Sequence, residues 1–335
     1  MKIIFNSMNC GLGNNGGSQT IVKSANTLID LGHDVSIIDT IANKHSWNKL
    51  KANHIILKNI NNCPLCDIII GTGIKTFHTT SVCKTAKKKF HWIRGWETWQ
   101  MSEKKMLEMF DQGQKNIHLV TNGAGIEKIL KKNNIKSNIQ LAGLDISRSK
   151  YISNKEINNK LIVIGGLVNT KHQTKQTEYL YNIFQYLSRI TDQRIQLLTF
   201  GAEGVRKAIF NNHIHLSHPS VEMKNKIYDQ IDFWISSSIN EGFHIPPAEF
   251  MLFDNGGVVI GVDHPLNGTK HYLKNNITGY VCENNWKQMA DLIIEKINIK
   301  DELCKLSNNA YHKITDDIGS RKKNMKKFVK LMEQL

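Results

Sequence analysis

Two glutamates, Glu241 and Glu249, lie where a strand-like run of the sequence gives way to a helix-like one. The run Phe233–Ser237 is apolar up to its serine end, as a buried strand is. The pair Pro246-Pro247 has the backbone angle of a first helical turn, so Glu249 falls within that turn. In a parallel sheet such a corner lies at the carboxyl edge, where open α/β sheets bind ligands. The spacing therefore predicts one binding site that uses both carboxylates.

The chemistry of this corner suits a ligand that carries both hydroxyls and phosphates. Carboxylate oxygens accept hydrogen bonds from adjacent hydroxyls, such as those of a sugar or a ribose. The N–H groups of Gly242 and Phe243 can face phosphate oxygens, and His244 lies inside the same corner. We therefore expect these three residues and Glu249 to contact the ligand.

A second candidate segment is the glycine-rich run Gly11-Leu-Gly13-Asn-Asn-Gly16, which matches the G-x-G-x-x-G fingerprint of dinucleotide sites. About ten residues separate the strand end at Asn6 from the helix start at Ser18, too many for the tight turn of that fingerprint. The pair Gly16-Gly17 instead lets a ligand approach the backbone at the start of a helix. An NAD-dependent oxidoreductase is the least favoured class, because nothing after Asp39 supplies a hydride-transfer site.

A third candidate segment is His91-Trp-Ile-Arg94-Gly-Trp96-Glu97-Thr-Trp99, at the end of a predicted strand. Trp92 lies on the strand and is expected in the core, whereas Trp96 and Trp99 lie beyond it and could stack on a base or a sugar. His91 is expected to be a strand residue. Arg94 and Glu97 are the candidates for chemistry.

The length and composition indicate two soluble domains. A chain of 335 residues is too long for one ordinary domain, and 40% hydrophobic with 22% charged residues is a globular balance. We find no apolar run of about 18 residues and no signal peptide, so we expect a cytoplasmic protein in a bacterium or a phage-infected cell. Cys63 and Cys66 are spaced like two ligands of a metal site, but the sequence has no second close pair of Cys or His to complete it. Reduced thiols are therefore favoured over a metal site.

The formal charge of +15 is uneven along the chain. Residues 1–150 hold 21 Lys and Arg against 10 Asp and Glu, whereas residues 151–335 hold 23 against 19. Basic patches attract phosphate-rich polymers or anionic lipid headgroups, although a Lys-rich solvated surface would look the same in sequence. The lysines of the first part form three groups: Lys84, Lys87, Lys88 and Lys89; Lys104 and Lys105; and Lys128, Lys131 and Lys132.

Strand-like and helix-like runs alternate along the chain, which predicts doubly wound parallel sheets. The alternation begins with a βαβ unit over residues 2–39, and a second series begins at the apolar strand Leu161–Gly165, which is typical of a buried strand. The polar, Asn-rich stretch Ser153–Asn159 lies between the two and predicts the domain boundary.

The segment Glu241–Glu249 and the Asn255-Gly256-Gly257-Val258-Val259 run after it resemble the E-x7-E region of family 4 retaining glycosyltransferases. The resemblance covers most of the chain, including Gly16-Gly17 and Leu161–Gly165. It implies the GT-B fold, in which two Rossmann-like α/β domains, each with a doubly wound parallel sheet, face a cleft. The domains it implies are residues 1–155 for the acceptor, residues 156–317 for a nucleotide sugar, and residues 318–335 as a helix that packs back on the first domain.

The resemblance also implies roles for single residues. Glu241 would meet the hydroxyls of the donor sugar and Glu249 the ribose of the nucleotide. A basic pair after the first strand of the second domain usually holds the diphosphate, but Leu167 or Val168 occupies the place of its arginine, which leaves Lys175, helped by Lys171. Where many relatives place a histidine near the reacting sugar, this chain has Arg94 or Glu97. No metal or other cofactor is implied, because the nucleotide-diphosphate sugar is a co-substrate.

Two classes of anionic acceptor fit these features of the sequence. A hydroxymethylated base in DNA, as in phage DNA modification, is slightly preferred, with Trp96 and Trp99 stacking the base and the cluster Lys87, Lys88 and Lys89 holding phosphates. A cell-envelope polysaccharide or glycolipid is the alternative. A sugar-nucleotide or nucleic-acid binding protein without catalysis is a third possibility, since the usual arginine and histidine are missing.

Overall fold

The structure is a computed structural model that describes residues 1–13, 15–42, 49–146, 161–201 and 211–335. The chain divides into two compact units. The first unit comprises Met1–Asp145, Glu241–Phe243 and Gly319–Leu335, and the second comprises Ile146–Asn240 and His244–Ile318. The expected boundary at residues 155 and 156 lies outside the described residues.

The first unit contains a parallel sheet of seven strands with helices between them. In chain order its elements are β1 (Lys2–Asn6), α1 (Gly16–Asp30), β2 (Asp34–Asp39), β3 (Asn53–Ile56), β4 (Cys66–Gly71), α2 (Phe77–Ser81), β5 (Ala86–Ile93), α3 (Glu103–Gly113), β6 (His118–Thr121), α4 (Ala124–Lys132) and β7 (Asn138–Ile139). The spatial order of the strands is β3-β2-β1-β4-β5-β6-β7.

The second unit contains a parallel sheet of six strands. Its elements are β8 (Leu161–Leu167), α5 (Glu178–Ile190), β9 (Arg194–Gly201), β10 (His213–Ser217), α6 (Val221–Gln230), β11 (Phe233–Ser236), α7 (Ile245–Phe250), β12 (Val258–Val262), β13 (Tyr280–Cys282), α8 (Trp286–Lys296) and α9 (Lys300–His312). The spatial order of the strands is β10-β9-β8-β11-β12-β13. The chain then returns to the first unit with α10 (Arg321–Gln334).

The central strands of both sheets are continuously apolar because helices cover both of their faces. In β1 the residues from Ile3 to Asn6 are all buried, and in β12 all of Val258–Val262 is buried. The doubly wound α/β fold predicted from the sequence is confirmed. The strand β5 begins four residues before the predicted start at Phe90, because the lysines at its amino end carry their charged tips away from an extended backbone.

The helix α10 completes the core of the first unit. Its Phe328 packs on the rings of Phe90 and Trp92, with ring centroids 6.2 and 5.5 Å away. Trp92 is fully buried, as expected, and its indole N–H donates to the carbonyl of Gln140 at 2.9 Å. Burial of an aromatic side chain stabilises a fold by about 1.5 to 3 kcal/mol, so α10 is an integral part of this core.

Each sheet has one point where the strand order reverses direction. In the first unit this switch point lies between β1 and β4, and in the second it lies between β8 and β11. The loops that follow the two strands diverge there and leave a crevice at the carboxyl edge, which is where doubly wound sheets bind ligands. The glycine-rich loop follows β1, and the segment that leads to Glu241 follows β11.

Candidate active site

The loops after β8 and β11 are joined by hydrogen bonds at the switch point of the second unit. Ser237 Oγ donates to the carbonyl oxygens of Lys175 and Gln176 at 2.9 and 3.1 Å. The N–H of Ile239 donates to the carbonyl of Thr174 at 2.9 Å. The serine-rich end of β11 therefore holds the lysine-bearing loop in place through its backbone.

Both lysines expected to bind phosphate lie on the loop after β8. Lys175 ends a short 3-10 turn and is half-buried, whereas Lys171 is exposed. Thr177 closes the base of this loop, because its hydroxyl accepts from the N–H of Asn169 at 3.0 Å and donates to the carbonyl of the same residue at 2.9 Å. The structure brings this loop to the same edge as the serine-rich end of β11.

The two positions where an arginine is usual hold apolar residues with structural roles. Leu167 is the last residue of β8, and Val168 is 1% exposed within the core of the second unit. A charged side chain at Val168 would have to enter that core. The loop therefore presents ammonium groups rather than a guanidinium.

The corner between β11 and α7 has the predicted form. α7 begins at Ile245 with both prolines in its first turn, and His244 precedes it as a buried cap. The ring Nδ1 of His244 lies 3.0 Å from Ser236 Oγ, and its carbonyl accepts from the hydroxyl of Tyr272. His244 thus holds α7 against the end of the strand.

Glu249 lies in α7 and interacts with two residues of α6 that the sequence reasoning missed. Its Oε2 accepts from Lys224 Nζ at 2.6 Å and from the hydroxyl of Tyr228 at 3.0 Å. Burial and the Glu249 carboxylate raise the pKa of Tyr228 well above its usual value, so the hydroxyl keeps its proton and donates. The only sequence signal was a Lys and a Tyr four positions apart, which share one face of a helix.

The glycine-rich loop of the first unit is fixed at buried apolar residues. Met8 and Leu12 are 3% and 1% exposed. α1 begins at Gly16, two residues earlier than predicted, and the side chain of Asn15 accepts from the N–H of Ser18 at 2.9 Å. A Cβ on Gly16 would meet nothing within 4 Å, so the first turn of α1 is open to a ligand there.

Arg94 follows β5 and ties two loops of the first unit together. Its Nε donates to the carbonyl of Thr72 at 3.0 Å, and its two terminal nitrogens donate to the carbonyls of Thr72 and Gly17. A Cβ on Gly17 would lie 3.3 Å from the guanidinium, so glycine gives Arg94 room to approach. The guanidinium therefore joins the first turn of α1 to the loop after β4. Its predicted role at the reacting sugar stays a prediction.

Glu97 lies beside this arginine and faces the loop after β4. Both carboxylate oxygens are 3.4 Å from the N–H of Ile74. Burial raises the pKa of Glu97, while the positive charge of Arg94 opposes that shift. A Cβ on Gly73 would lie 3.5 Å from Glu97 Oε1 and 3.6 Å from Cys10 Sγ, so these two side chains border the same small space.

The aromatic and imidazole side chains of β5 and the segment after it divide into buried and exposed groups. Trp96 is 1% exposed and its indole lies 3.1 Å from Glu103 Oε2, so its predicted role as a stacking platform is wrong, because the ring belongs to the core beside Phe110. Trp99 is 54% exposed, and its role in stacking on a ligand stays a prediction. His91 is a buried strand residue, as expected, and burial lowers its pKa to about 3.

The three-residue segment Glu241–Phe243 belongs to the first unit, although it follows β11. A Cβ on Gly242 would lie 2.0 Å from the carbonyl oxygen of Arg94. A Cβ on Gly123 would lie 2.5 Å from the carbonyl oxygen of Gly242. At both places a side chain would collide with backbone atoms, so only glycine fits. Because Gly242 contacts Arg94, Glu241 lies one residue away from that contact.

The cluster Lys87, Lys88 and Lys89 lies at the amino end of β5, whereas Arg94 follows the carboxyl end of that strand. Lys87 pairs with Asp67 at 2.7 Å, Lys88 donates to two backbone carbonyls at the end of α10, and Lys89 donates to the carbonyl of Ser81 at 2.6 Å. With a rise of about 3.3 Å per strand residue, the three lysines lie about 17 to 23 Å from Arg94 along the strand. The predicted role of the cluster in holding acceptor phosphates stays a prediction.

The cysteine pair expected as reduced thiols is free and buried. Cys63, Cys66 and Cys83 lie in one small apolar cluster under β1 and β4. Among the residues that the structure describes, no three His, Cys, Asp or Glu side chains are arranged to hold a metal ion. Within the same residues no helix combines the length and apolar composition needed to cross a bilayer.

Comparison with solved structures identifies the class of fold. The structure of Anabaena Alr3699/HepE in complex with UDP-glucose matches with a TM-score of 0.79 over 100% of both chains, at 11% identity. TarM matches with a TM-score of 0.75 over 99% of this chain and 98% of that one, at 12% identity. The lipopolysaccharide outer core galactosyltransferase WaaB matches with a TM-score of 0.68 over 100% of both chains, at 14% identity. The fold is that of GT-B glycosyltransferases.

The family follows from the sequence itself. Residues 145–313, half of the chain, match the family model described as glycosyl transferases group 1. The chain belongs to this family and is an enzyme of the glycosyltransferase class, as the sequence predicted. No curated protein matches the sequence significantly.

Proposed function

We propose that the protein is a retaining glycosyltransferase that moves a sugar from a nucleoside-diphosphate sugar to a hydroxyl of an anionic polymer. The observation that carries the proposal is the corner from Glu241 to Glu249, where two carboxylates follow the switch-point strand β11 in a chain of the group 1 family. Such a corner suits a ligand with adjacent hydroxyls and a diphosphate.

On the donor side, Glu249 binds the ribose and Lys175, with Lys171, binds the diphosphate. Lys224 and Tyr228 both donate to Oε2 of Glu249, which fixes the carboxylate that binds the ribose hydroxyls in this proposal. The hydrogen bond from the Ser237 hydroxyl to the backbone carbonyl of Lys175 holds the lysine-bearing loop at the same edge. The UDP-glucose complex of HepE favours a uridine nucleotide as the donor.

In the proposed reaction the bond between the anomeric carbon and the diphosphate oxygen breaks, and a bond to the acceptor oxygen forms on the same face. Negative charge develops on the leaving diphosphate, where Lys175 and the N–H groups of Gly242 and Phe243 stabilise it. The leaving phosphate takes the proton of the acceptor hydroxyl, so no separate general base is needed. Glu241 binds the hydroxyls of the sugar as it flattens, and the reaction uses no metal ion.

For the acceptor we propose an anionic envelope glycan in place of DNA. The DNA hypothesis assigned base stacking to Trp96 and Trp99 and phosphate binding to the lysines at 87, 88 and 89. Trp96 is buried, and the lysines lie at the amino edge of the sheet. The name of WaaB, a lipopolysaccharide outer core galactosyltransferase, favours the same class of acceptor. Trp99 remains exposed and suits a sugar platform.

The experiment is release of the nucleoside diphosphate from a panel of nucleotide sugars, with and without acceptors. We expect slow release from one donor alone and faster release with phosphate-rich or acidic glycans. NMR of the product reports whether the anomeric configuration is retained. Acceleration by hydroxymethylated DNA and not by any glycan would reverse the proposed acceptor.

The matched variants are Glu241→Gln and Glu222→Gln. Glu241→Gln should lower turnover at least about 100-fold with an unchanged melting temperature, because it removes a contact to the reacting sugar. Glu222 lies on α6 with its side chain 80% exposed, so Glu222→Gln should leave turnover unchanged. Near-normal turnover of Glu241→Gln would refute the assignment.

A further inference from the structure

The exposed side of α10 carries five lysines in one arc, which we call the lysine arc. With 3.6 residues per turn, the five fall within about 140° of the helix circumference. The opposite side of the helix is buried in the core of the first unit through Met325, Phe328 and Met332. The members of the lysine arc are Lys322, Lys323, Lys326, Lys327 and Lys330, all exposed.

Four of the five lysines of the arc carry a charge that no described acidic residue neutralises. Among the described residues, Lys322, Lys326, Lys327 and Lys330 have no acidic partner within ion-pairing distance. By contrast, the buried Arg321 at the start of the same helix pairs with Asp145 at 2.8 Å. Glu333 is the one acidic residue in the sequence of α10, and it lies at the far end of the helix.

The arrangement of the lysine arc works against the stability of α10 itself. Lys322, Lys326 and Lys330 follow one another at four-residue intervals, where like charges repel. Lys322 and Lys323 stand in the first turn, which has no acidic residue, although the positive end of the helix dipole favours acids there. Residues that break local rules without a gain inside the fold are typical of functional surfaces.

We propose that the lysine arc is a docking surface for a phosphate-rich glycan chain, the polymer that carries the acceptor hydroxyl. This inference rests on the proposed function. Successive lysines of the row 322, 326 and 330 rise by about 6 Å, which matches an extended chain with one charge per repeat. Lysine meets a phosphate as a point charge and needs no fixed orientation, which suits a flexible polymer.

Two other anionic partners fit the surface less well. Helices that insert into a membrane interface pair a basic face with exposed Leu, Phe or Trp, and the exposed positions of α10 from Lys322 to Gln334 hold only polar residues. Sequence-specific readout of duplex DNA combines Arg or Lys contacts to guanine with Asn, Gln or apolar contacts to the other bases, and the lysine arc offers lysine alone. A phosphate-rich chain needs neither feature.

The docking surface makes the affinity depend on the length of the polymer. A long chain can contact the lysine arc while its end reacts, so binding to the arc raises the local concentration of the acceptor end. A short acceptor cannot reach both places. Loss of the arc should therefore raise KM for long acceptors and leave KM for short acceptors unchanged.

The experiment compares the triple variant K322Q/K326Q/K330Q with the control K128Q/K131Q/K132Q, which removes the same charge from exposed positions of α4. The probe is fluorescently labelled long-chain inorganic polyphosphate, with tripolyphosphate as the short control. Five contacts should lower the affinity of the wild type about 100-fold between about 50 and 200 mM salt, and the two that remain in the arc variant less than about 10-fold. The α4 variant should behave as the wild type does, and the melting temperature of the arc variant should not fall.

Three results would overturn the inference. Equal loss of binding in the two triple variants would show a response to net charge rather than to a surface. Arc-dependent binding to phosphatidylglycerol vesicles with none to polyphosphate would make the partner a membrane, and arc-dependent binding to duplex DNA alone would make it a nucleic acid. Release of nucleoside diphosphate by the arc variant, measured in parallel, tests the proposed function separately, because that assay needs no polymer.

Discussion

The two units of the chain differ in their excess of positive charge. The first unit holds 25 Lys and Arg against 12 Asp and Glu, whereas the second holds 19 against 17. In the second unit Lys224 meets a carboxylate of the candidate site, and Lys270 pairs with Asp263 at 2.9 Å. In the first unit Arg94 donates to backbone carbonyls, and the lysine arc faces solvent. Such an excess of charge raises the local concentration of an anionic polymer around the first unit.

Gly242 is the position where the largest loss is expected. Gly242→Ala places a Cβ 2.0 Å from the carbonyl oxygen of Arg94, and backbone cannot move aside as a side chain can. We expect turnover to fall by about 100-fold or more, since misplacing a catalytic group by 1 Å costs about that much. Gly32→Ala is the stability control, because its φ of 89° makes it strained too, but at a turn after α1. A loss of turnover equal in both variants would contradict a local cause.

Arg94 and Lys224 allow one half-buried cation of each unit to be compared. Arg94→Met leaves the carbonyls of Gly17 and Thr72 without their donor, so the glycine-rich loop should loosen and kcat should fall about 10- to 100-fold. Arg94→Lys should recover only part of the lost kcat, because an ammonium cannot bridge the carbonyls of Gly17 and Thr72 as the guanidinium fork does. Steady-state kinetics with the best donor measures both variants. Full activity of Arg94→Lys would show that charge alone suffices.

Lys224→Met should act on donor binding. It removes the 2.6 Å bond that fixes Glu249, so we expect the donor KM to rise about 10-fold with a smaller change in kcat. Lys224→Arg should recover most of the affinity. Lys226→Met, on the exposed face of the same helix, is the control and should have wild-type kinetics. A fall in kcat with unchanged KM would contradict a role in positioning Glu249.

Trp99 and Trp96 separate ligand contact from core packing within one segment. Trp99→Ala should raise the acceptor KM about 3- to 10-fold and leave the melting temperature unchanged, because the ring is exposed. Trp96→Ala should lower stability by about 3 to 5 kcal/mol, since it empties a packed site. Thermal unfolding and acceptor titration together distinguish the two. Loss of stability in Trp99→Ala would place that ring in the core as well.

The pH dependence of stability is the smallest expected effect. Burial lowers the pKa of His91 to about 3 in the first unit and that of His213 to about 4 in the second. The unfolded chain takes up these protons below about pH 6.5 and the folded chain does not, so stability falls as pH drops from about 6.5. His91→Gln should flatten this dependence by up to about 1.4 kcal/mol per pH unit, measured by denaturant unfolding between about pH 4 and 7. An unchanged slope would mean that the imidazole is not held neutral.

The features that could be predicted from the sequence are those that depend on residues close together in the chain. The strand β11, the proline turn and the place of Glu249 in α7 are all local, so pattern and propensity suffice. Lys224 was missed because it meets Glu249 only when α6 and α7 pack, and 25 positions of chain separate them. Trp96 was misplaced because a tryptophan beyond a strand end can turn inward or outward, and its contact with Glu103 decides which.

The charge of the first unit was underestimated for a related reason. A division by chain position assigns the six cations of residues 319–335 to the second domain, although their helix packs on Phe90 and Trp92. Their amphipathic spacing was visible in sequence, and the resemblance placed residues 318–335 on the first domain, but the count of charges followed the order of the chain. The difference in net charge between the two parts of the chain is larger when residues are assigned by their contacts in the fold than by their order in the sequence.

The return of α10 to the first unit has a consequence for how the protein is made. The ribosome completes β1 to β7 about 190 residues before the end of α10, which at about 5 to 20 residues per second is a delay of about 10 to 40 s. During that time Phe90 and Trp92 lack the Phe328 ring that covers them, while residues 161–318 can already fold. Nascent chains stalled just before α10 should therefore bind chaperones through the first sheet and release them when the helix emerges.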